Sequence, residues 1–273
     1  MRQPNRRQRA LLLLLLTLAV LLAVTMAGAL LTQRAMETDF SRMNRSPSLS
    51  FLFGTDWMGR DMLARTLAGL SLSIRIGVLT ALVSAVIALL CGVAAALSRR
   101  ADAVLSWCID LFLGIPHILL VMLISLAFGR GFLGVVAGVS LSHWPSLARV
   151  IRGEVLSLRH APYLLAAEKL GAPRGQIVRR HLLPHLLPQF LTGLILQFPH
   201  AILHEASVTF LGFGLSSEQP AIGVILSESM QYLTTGRWWL ALFPGLALVG
   251  VVLLFAALGE QVRRVLDPSS VHQ

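Results

Sequence analysis

The sequence predicts an all-α integral membrane protein of about six transmembrane helices. Three observations carry that prediction. Hydrophobic residues make up 55% of the 273 positions and charged residues only 13%, against roughly a quarter charged in an average soluble domain. Apolar runs close to the roughly 20 residues needed to cross a bilayer recur along the whole chain. Basic residues gather at the ends of those runs, the pattern that orients a membrane protein. A net charge of +10 could suggest nucleic acid, but a nucleic-acid reader collects its basic residues on a soluble face with stacking aromatics. Cys91 and Cys108 lie in or beside apolar runs with no CxxC spacing, so neither a redox nor a zinc motif is present.

The first run, Leu11 to Leu31, follows Arg2, Arg6, Arg7 and Arg9. A signal peptide is the rival reading, but the run exceeds the usual 7 to 15 apolar residues or so, and a retained helix is preferred. Residues 32–70 read as an external loop. Apolar character then resumes at Leu72–Leu97, Val104–Phe128 and Phe132–Val150, with Pro116 and Pro145 interrupting the latter two, as membrane helices tolerate. A polar segment, 152–185, separates these from two further spans at Leu186–Leu211 and Trp239–Leu258. The organisation is thus 1–31 (basic start and first span), 32–70 (external loop), 71–267 (five-helix core with the cytoplasmic segment 152–185) and 268–273 (tail). With the N-terminus inside, Arg99, Arg100, Arg149, Arg152, Arg159, Lys169, Arg174, Arg179, Arg180, Arg263 and Arg264 join the N-terminal arginines on the cytoplasmic side. Both termini are then cytoplasmic.

The polar segment between the fourth and fifth spans carries the most information. It reads LSLRHAPYLLAAEKLGAPRGQIVRRHLLPHLLP. Helix-favouring Leu164, Leu165, Glu168 and Leu170 precede Gly171-Ala172-Pro173, which ends a helix at a glycine cap; a second short helix should run from Arg174 towards His181. A helix, turn and helix on the cytoplasmic face suits docking to a soluble partner, and a merely solvated basic loop is the plain alternative. In the external loop, Gly54 and Gly59 permit a turn, and Asp56, Arg60 and Asp61 can form a local ion-pair network.

Ionisable residues inside apolar spans cost roughly 2.5 to 3.5 kcal/mol at mid-helix if unpaired, which makes them candidates for function. Asp110, His117, His143, His200, His204 and Glu205 qualify. His117 follows Pro116 and can bond a freed carbonyl; His143, beside Trp144, has a structural bond as its alternative. His200 and His204, spaced i, i+4, share one helix face and can bind Ni(II), Cu(II) or Zn(II), with helix packing as the alternative. HAILHE is neither HExxH nor HxxEH, so a metalloprotease lacks its base. There is no GxxxxGK[ST] loop to cradle a nucleotide phosphate, so ATP hydrolysis is not expected of this chain.

Several ordered motifs carry a resemblance. Ala166, Ala167, Gly171, Leu183 and Pro184 resemble the EAA motif of ATP-binding-cassette (ABC) importer permeases, with the family's glutamate position occupied by Leu165 and Glu168 one turn on as a possible replacement. FGTDWMGRD at Phe53 to Asp61 (Gly54, Thr55, Asp56, Gly59, Arg60 and Asp61) resembles the GTDxxGRD motif of C-type subunits of the dipeptide, oligopeptide and nickel permeases. EASVTFLGFG from Glu205, WWLALFPGLAL from Trp238 and LGEQVRRVLDP from Leu258 resemble later segments of the same subfamily. The resemblance covers nearly the whole chain after the first span. It implies the type I ABC importer permease fold in a bacterial inner membrane, a homologous B-type permease partner, two ATPase subunits that hold ATP and magnesium, and an extracytoplasmic solute-binding protein. The chain itself would bind no cofactor. It also implies that the segment around Gly171 forms the coupling helix; His143, His200, His204 and Glu205, as ionisable residues inside the spans, are the candidates for the translocation path, with pairing inside the subunit or to its partner as the alternative for Glu205. LSHW and HAILHE look closest to the nickel permeases, so nickel or another transition metal, free or chelated, is the first substrate reading and dipeptide or oligopeptide the alternative. A secondary transporter and a non-transporting scaffold are the readings from other classes.

Overall fold

A computed structural model of the chain describes residues 6–158 and 161–266. The described residues are helical apart from turns, one 3-10 turn and a single isolated β-bridge, Thr55 to Asp61. In chain order the helices are α1 (Arg6–Leu30), α2 (Thr32–Met36), α3 (Met62–Leu97), α4 (Arg99–Gly114), α5 (His117–Ala127), α6 (Phe132–Leu158), α7 (Pro162–Lys169), α8 (Arg174–Ile177), α9 (Leu183–Phe210), α10 (Ile222–Leu233) and α11 (Trp239–Leu266). The chain is thus an all-α membrane protein, as its composition requires.

Four stretches among the described residues are long and apolar enough to span a bilayer: Gln8–Leu30, Met62–Ala95, Gly175–Phe210 and Trp239–Leu266. The pair α4 and α5 makes a fifth if counted as one bent span. The fourth span of the sequence reading corresponds to α6. At 27 residues it is roughly 40 Å long at 1.5 Å per residue, yet its polar second half, SLARVIRGE, keeps it outside the apolar set. That half and its flanks lie among other helices: Trp144, Leu147, Ala148, Ile151 and Val155 are all buried.

Three boundaries differ from the sequence reading for physical reasons. The second span begins at Met62, not Leu72, because Asp61 caps it by accepting from the backbone N–H groups of Leu63 and Ala64; the loop between the first two spans therefore ends at residue 61. The third span is not one helix. Proline disfavours helical backbone in the residue before it, and Ile115 is extended at φ −90°, ψ 138°; α4 and α5 meet at 102°. The helix that the sequence places from Arg174 towards His181 is not separate, because α8 passes through a π-helical turn, Val178–Leu182, directly into α9.

α3 is the central helix, and small residues let its neighbours approach. A Cβ on Gly69 would meet Pro220 O at 2.7 Å, one on Gly77 would meet Ile202 of α9 at 2.5 Å, and one on Gly92 would meet Ile151 of α6 at 2.5 Å. On α1, Gly28 lies so close to α3 that a Cβ would stand 2.0 Å from Leu67 O. Close backbone approach through small residues is the usual device where lipid supplies no hydrophobic drive between helices. Side-chain hydroxyls on these faces return to the backbone, as Thr66 Oγ1 does to Met62 O at 2.7 Å. At the α4 end, Arg152 pairs with Asp102 and Arg149 with Asp110, tying α4 to α6.

Candidate functional site: an ion-pair cluster, an exposed helix and a histidine triangle

The loop before α3 closes on itself through the GTDWMGRD segment. Asp56 Oδ1 accepts the backbone N–H groups of Met58 and Arg60, each at 2.9 Å. Asp56 Oδ2 receives Arg60 Nε at 2.7 Å and Arg65 at 2.6 Å. Both guanidinium groups also reach Glu228 of α10, at 3.3 and 3.0 Å. The side chains of Asp56, Arg60 and Arg65 are 3%, 5% and 2% exposed, so each charge depends on the others for solvation. Gly59 sits at φ +73°, where a Cβ would also stand 1.8 Å from Asp39 O; this turn requires glycine. Thr55 bonds Arg42 O and accepts from Arg45 N. Asp61 does not join the buried cluster; it caps α3 and pairs with Arg34 at 2.9 Å. Sequence reasoning missed Arg65 and Glu228. Arg65 lies one helical turn past the α3 cap, where its charge could have been noticed, but nothing local announces Glu228. A cavity of about 450 Å³, lined by Arg130, Ser216, Ser217, Ser227 and Glu228 among others, opens beside this cluster.

At the α7 end the geometry is different. Leu164 is buried with Leu158, Leu182 and Leu186, anchoring α7 to the helical body. Tyr163 and Leu165 are 47% and 43% exposed, and Leu170 is 87% exposed. Ala166 is exposed and Ala167 half-buried, while the side chain of Glu168 lies outside the described residues. Gly171 ends the helix at φ +82° with open space around it. Leu183 and Pro184, at the start of α9, are exposed as well. Apolar side chains of a short helix between polar segments are thus left exposed in the isolated chain.

Within the bundle, the structure brings His117, His143 and His204 together. Their ring centroids are 4.5 Å (117–143), 4.4 Å (117–204) and 4.9 Å (143–204) apart, each pair edge to face. The break at Pro116 places His117 at the start of α5; His143 comes from α6 and His204 from α9. His204, which the sequence paired with His200, thus meets two histidines of other helices. His200 is exposed and stands outside the triangle, while the ring of His204 turns back so that Nδ1 donates to His200 O at 2.7 Å. Glu205, also placed on the path by the sequence, is fully buried, and Thr209 donates to its Oε1 at 3.1 Å. One residue along a helix is a turn of about 100°, so Glu205 faces the core while His200, Leu203 and Ser207 form an exposed stripe. His143 is likewise buried, at 7% exposure.

Residues 84–271 match the family described as the binding-protein-dependent transport system inner membrane component. The chain belongs to that family. It is 36% identical over 267 residues to a protein of Brucella suis biovar 1 (strain 1330) named "Putative peptide transport system permease protein", covering 98% of this chain and 90% of that one. It is 30% identical over 268 residues to the dipeptide transport system permease protein DppC of Bacillus subtilis (strain 168), covering 97% of this chain and 83% of the relative. This is therefore a multi-pass permease of the ABC importer class, an inner-membrane component of a transport system.

Proposed function

We propose that this permease carries peptides inward as the C-type membrane half of an ATP-driven importer, with α7 and the Gly171 turn as its contact with the ATPase. The observation that supports the coupling role is α7 and the residue after it: Leu164 fixes the helix to the bundle, while Tyr163, Leu165 and Leu170 present apolar surface outward. In this reading α7 and both termini are cytoplasmic, a homologous B-type permease covers the exposed stripe of α9, and a solute-binding protein delivers cargo at the opposite end, near the loop closed by Asp56. His200 and Ser207 on that stripe are poor company for lipid tails, which favours a partner subunit or a water-filled path there. ATP and magnesium belong to the ATPase subunits.

For the cargo, peptide takes precedence over nickel. The relatives named above bear the words peptide and dipeptide, and none of them bears the word nickel. The test is growth of an amino-acid auxotroph on a dipeptide as the only source of the required residue. Deletion of this chain should abolish growth on the dipeptide and spare growth on the free amino acid; unimpaired growth on the dipeptide would refute the peptide reading.

A further inference from the structure

The histidine triangle has properties that helix packing alone does not require. The proton positions follow from the partners. A carbonyl oxygen only accepts, so the contact of His143 Nδ1 with Val139 O at 2.8 Å and that of His204 Nδ1 with His200 O at 2.7 Å both place the ring proton on Nδ1. In the neutral imidazole each ring then keeps an unprotonated Nε2. In His143 this atom is buried with no hydrogen-bond partner among the described residues, and so is Nε2 of His117. Leaving a buried polar atom without a partner is unfavourable, and two such atoms share one small volume. One ring nitrogen from each of His117, His143 and His204 lies within 4.8 Å of the others.

We propose that His117, His143 and His204 form a binding site for a late first-row divalent cation, such as zinc, nickel, cobalt or copper, inside the helical bundle. Three neutral imidazoles select this class, because magnesium and calcium prefer oxygen ligands and no carboxylate belongs to the cluster among the described residues. The hydrogen bonds from Nδ1 to backbone carbonyls are the supporting contacts that orient metal-binding histidines and raise their basicity. Bonds of 2.0–2.1 Å in a tetrahedral site set the nitrogens roughly 3.3 Å apart, so binding must draw the triangle inward. His117 and His204 are only half-buried. Their exposed side leaves the fourth position open to water or another small donor. The break at Pro116 is what gives α5 a histidine at its first turn, facing α6 and α9; an unbroken span would carry His117 past them. An ion there would clamp α5, α6 and α9 together. The site does not depend on what the permease carries.

The experiment uses the full-length chain in detergent, free of any affinity tag, equilibrated with zinc or with nickel and freed of loose metal by gel filtration. The expected result is one ion retained per chain, with an X-ray absorption shell of nitrogen at about 2.0–2.1 Å and imidazole outer-shell scattering for zinc. Single replacements His117→Ala, His143→Ala and His204→Ala should each weaken binding at least about tenfold, the lower bound even for loss of a supporting contact. His200→Ala should bind as the parent does. Retention by the parent no greater than by the triple alanine variant, or a shell without imidazole, would show a packed histidine trio only and overturn the proposal. Loss of binding in His200→Ala equal to that in His143→Ala would also overturn it, by returning the site to the exposed face of α9. If the triple variant fails to fold, the absorption spectrum of the parent decides alone.

Discussion

Replacement of Asp56 by alanine should be among the most damaging single changes in the chain. Its carboxylate accepts two backbone N–H groups and two guanidinium groups, and Arg60 and Arg65 are 5% and 2% exposed. Removal leaves Glu228 as the remaining carboxylate for both arginines, at 3.3 and 3.0 Å and with its own side chain 23% exposed. Breaking a buried ion pair by deleting one partner costs about 3–5 kcal/mol. For a chain of this size, about 2–4 °C per kcal/mol makes that a fall of roughly 6–20 °C in the melting temperature. The assay is thermal unfolding of the purified protein in detergent, followed by intrinsic tryptophan fluorescence. The combination of Asp56→Ala with Arg65→Leu should lose less than the sum of the single changes, because the second substitution removes one of the charges the first left stranded. A fall of less than about 2 °C for Asp56→Ala, below the smallest loss expected from a broken buried pair, would refute the view that this cluster holds the loop to α3 and α10.

Further outcomes follow from the same geometry. Gly28→Leu should force α1 off α3, because a Cβ already meets Leu67 O at 2.0 Å; overpacking of about 1–3 kcal/mol should lower the melting temperature, and parental stability would contradict the observed approach. Gly171→Asp adds about 1–2 kcal/mol of local backbone strain at φ +82° in open space, so the variant should insert and fold but lose co-purification with the ATPase; normal co-purification and transport would exclude α7 as the contact. A reporter active only outside the cytoplasm should work when fused near Arg45 or Gln219 and fail near Arg100, Arg174 or Gln273, and activity at Arg174 would place α7 on the wrong side.

The helical membrane class was legible because it rests on run length and composition, which are local. The bend at Pro116 was half legible: the proline announced an interruption, but its 102° depends on Ile115 adopting extended backbone and on α5 finding α6 to pack against. The early start of α3 was hidden because Arg60, Asp61 and Arg65 read as loop charges, and only Asp56 and Glu228 make a buried arginine tolerable there. α10 escaped notice because 12 residues cannot cross a bilayer, so no apolar run of the required length marks it. The meeting of three histidines was not legible for a related reason. Spacing along one helix identifies residues on a shared face, whereas His204 meets His117 and His143 from two other helices, and no periodicity in the sequence records that meeting.

Reconstitution tests the central claim most directly. The chain, its companion permease, the ATPase subunits and the binding protein would be assembled in liposomes and supplied with labelled dipeptide, or with labelled nickel, with and without internal ATP. The account predicts accumulation of dipeptide that requires both ATP and this chain, and none of nickel. Dipeptide uptake that persists without this chain, or ATP-driven uptake of nickel in place of dipeptide, would contradict it.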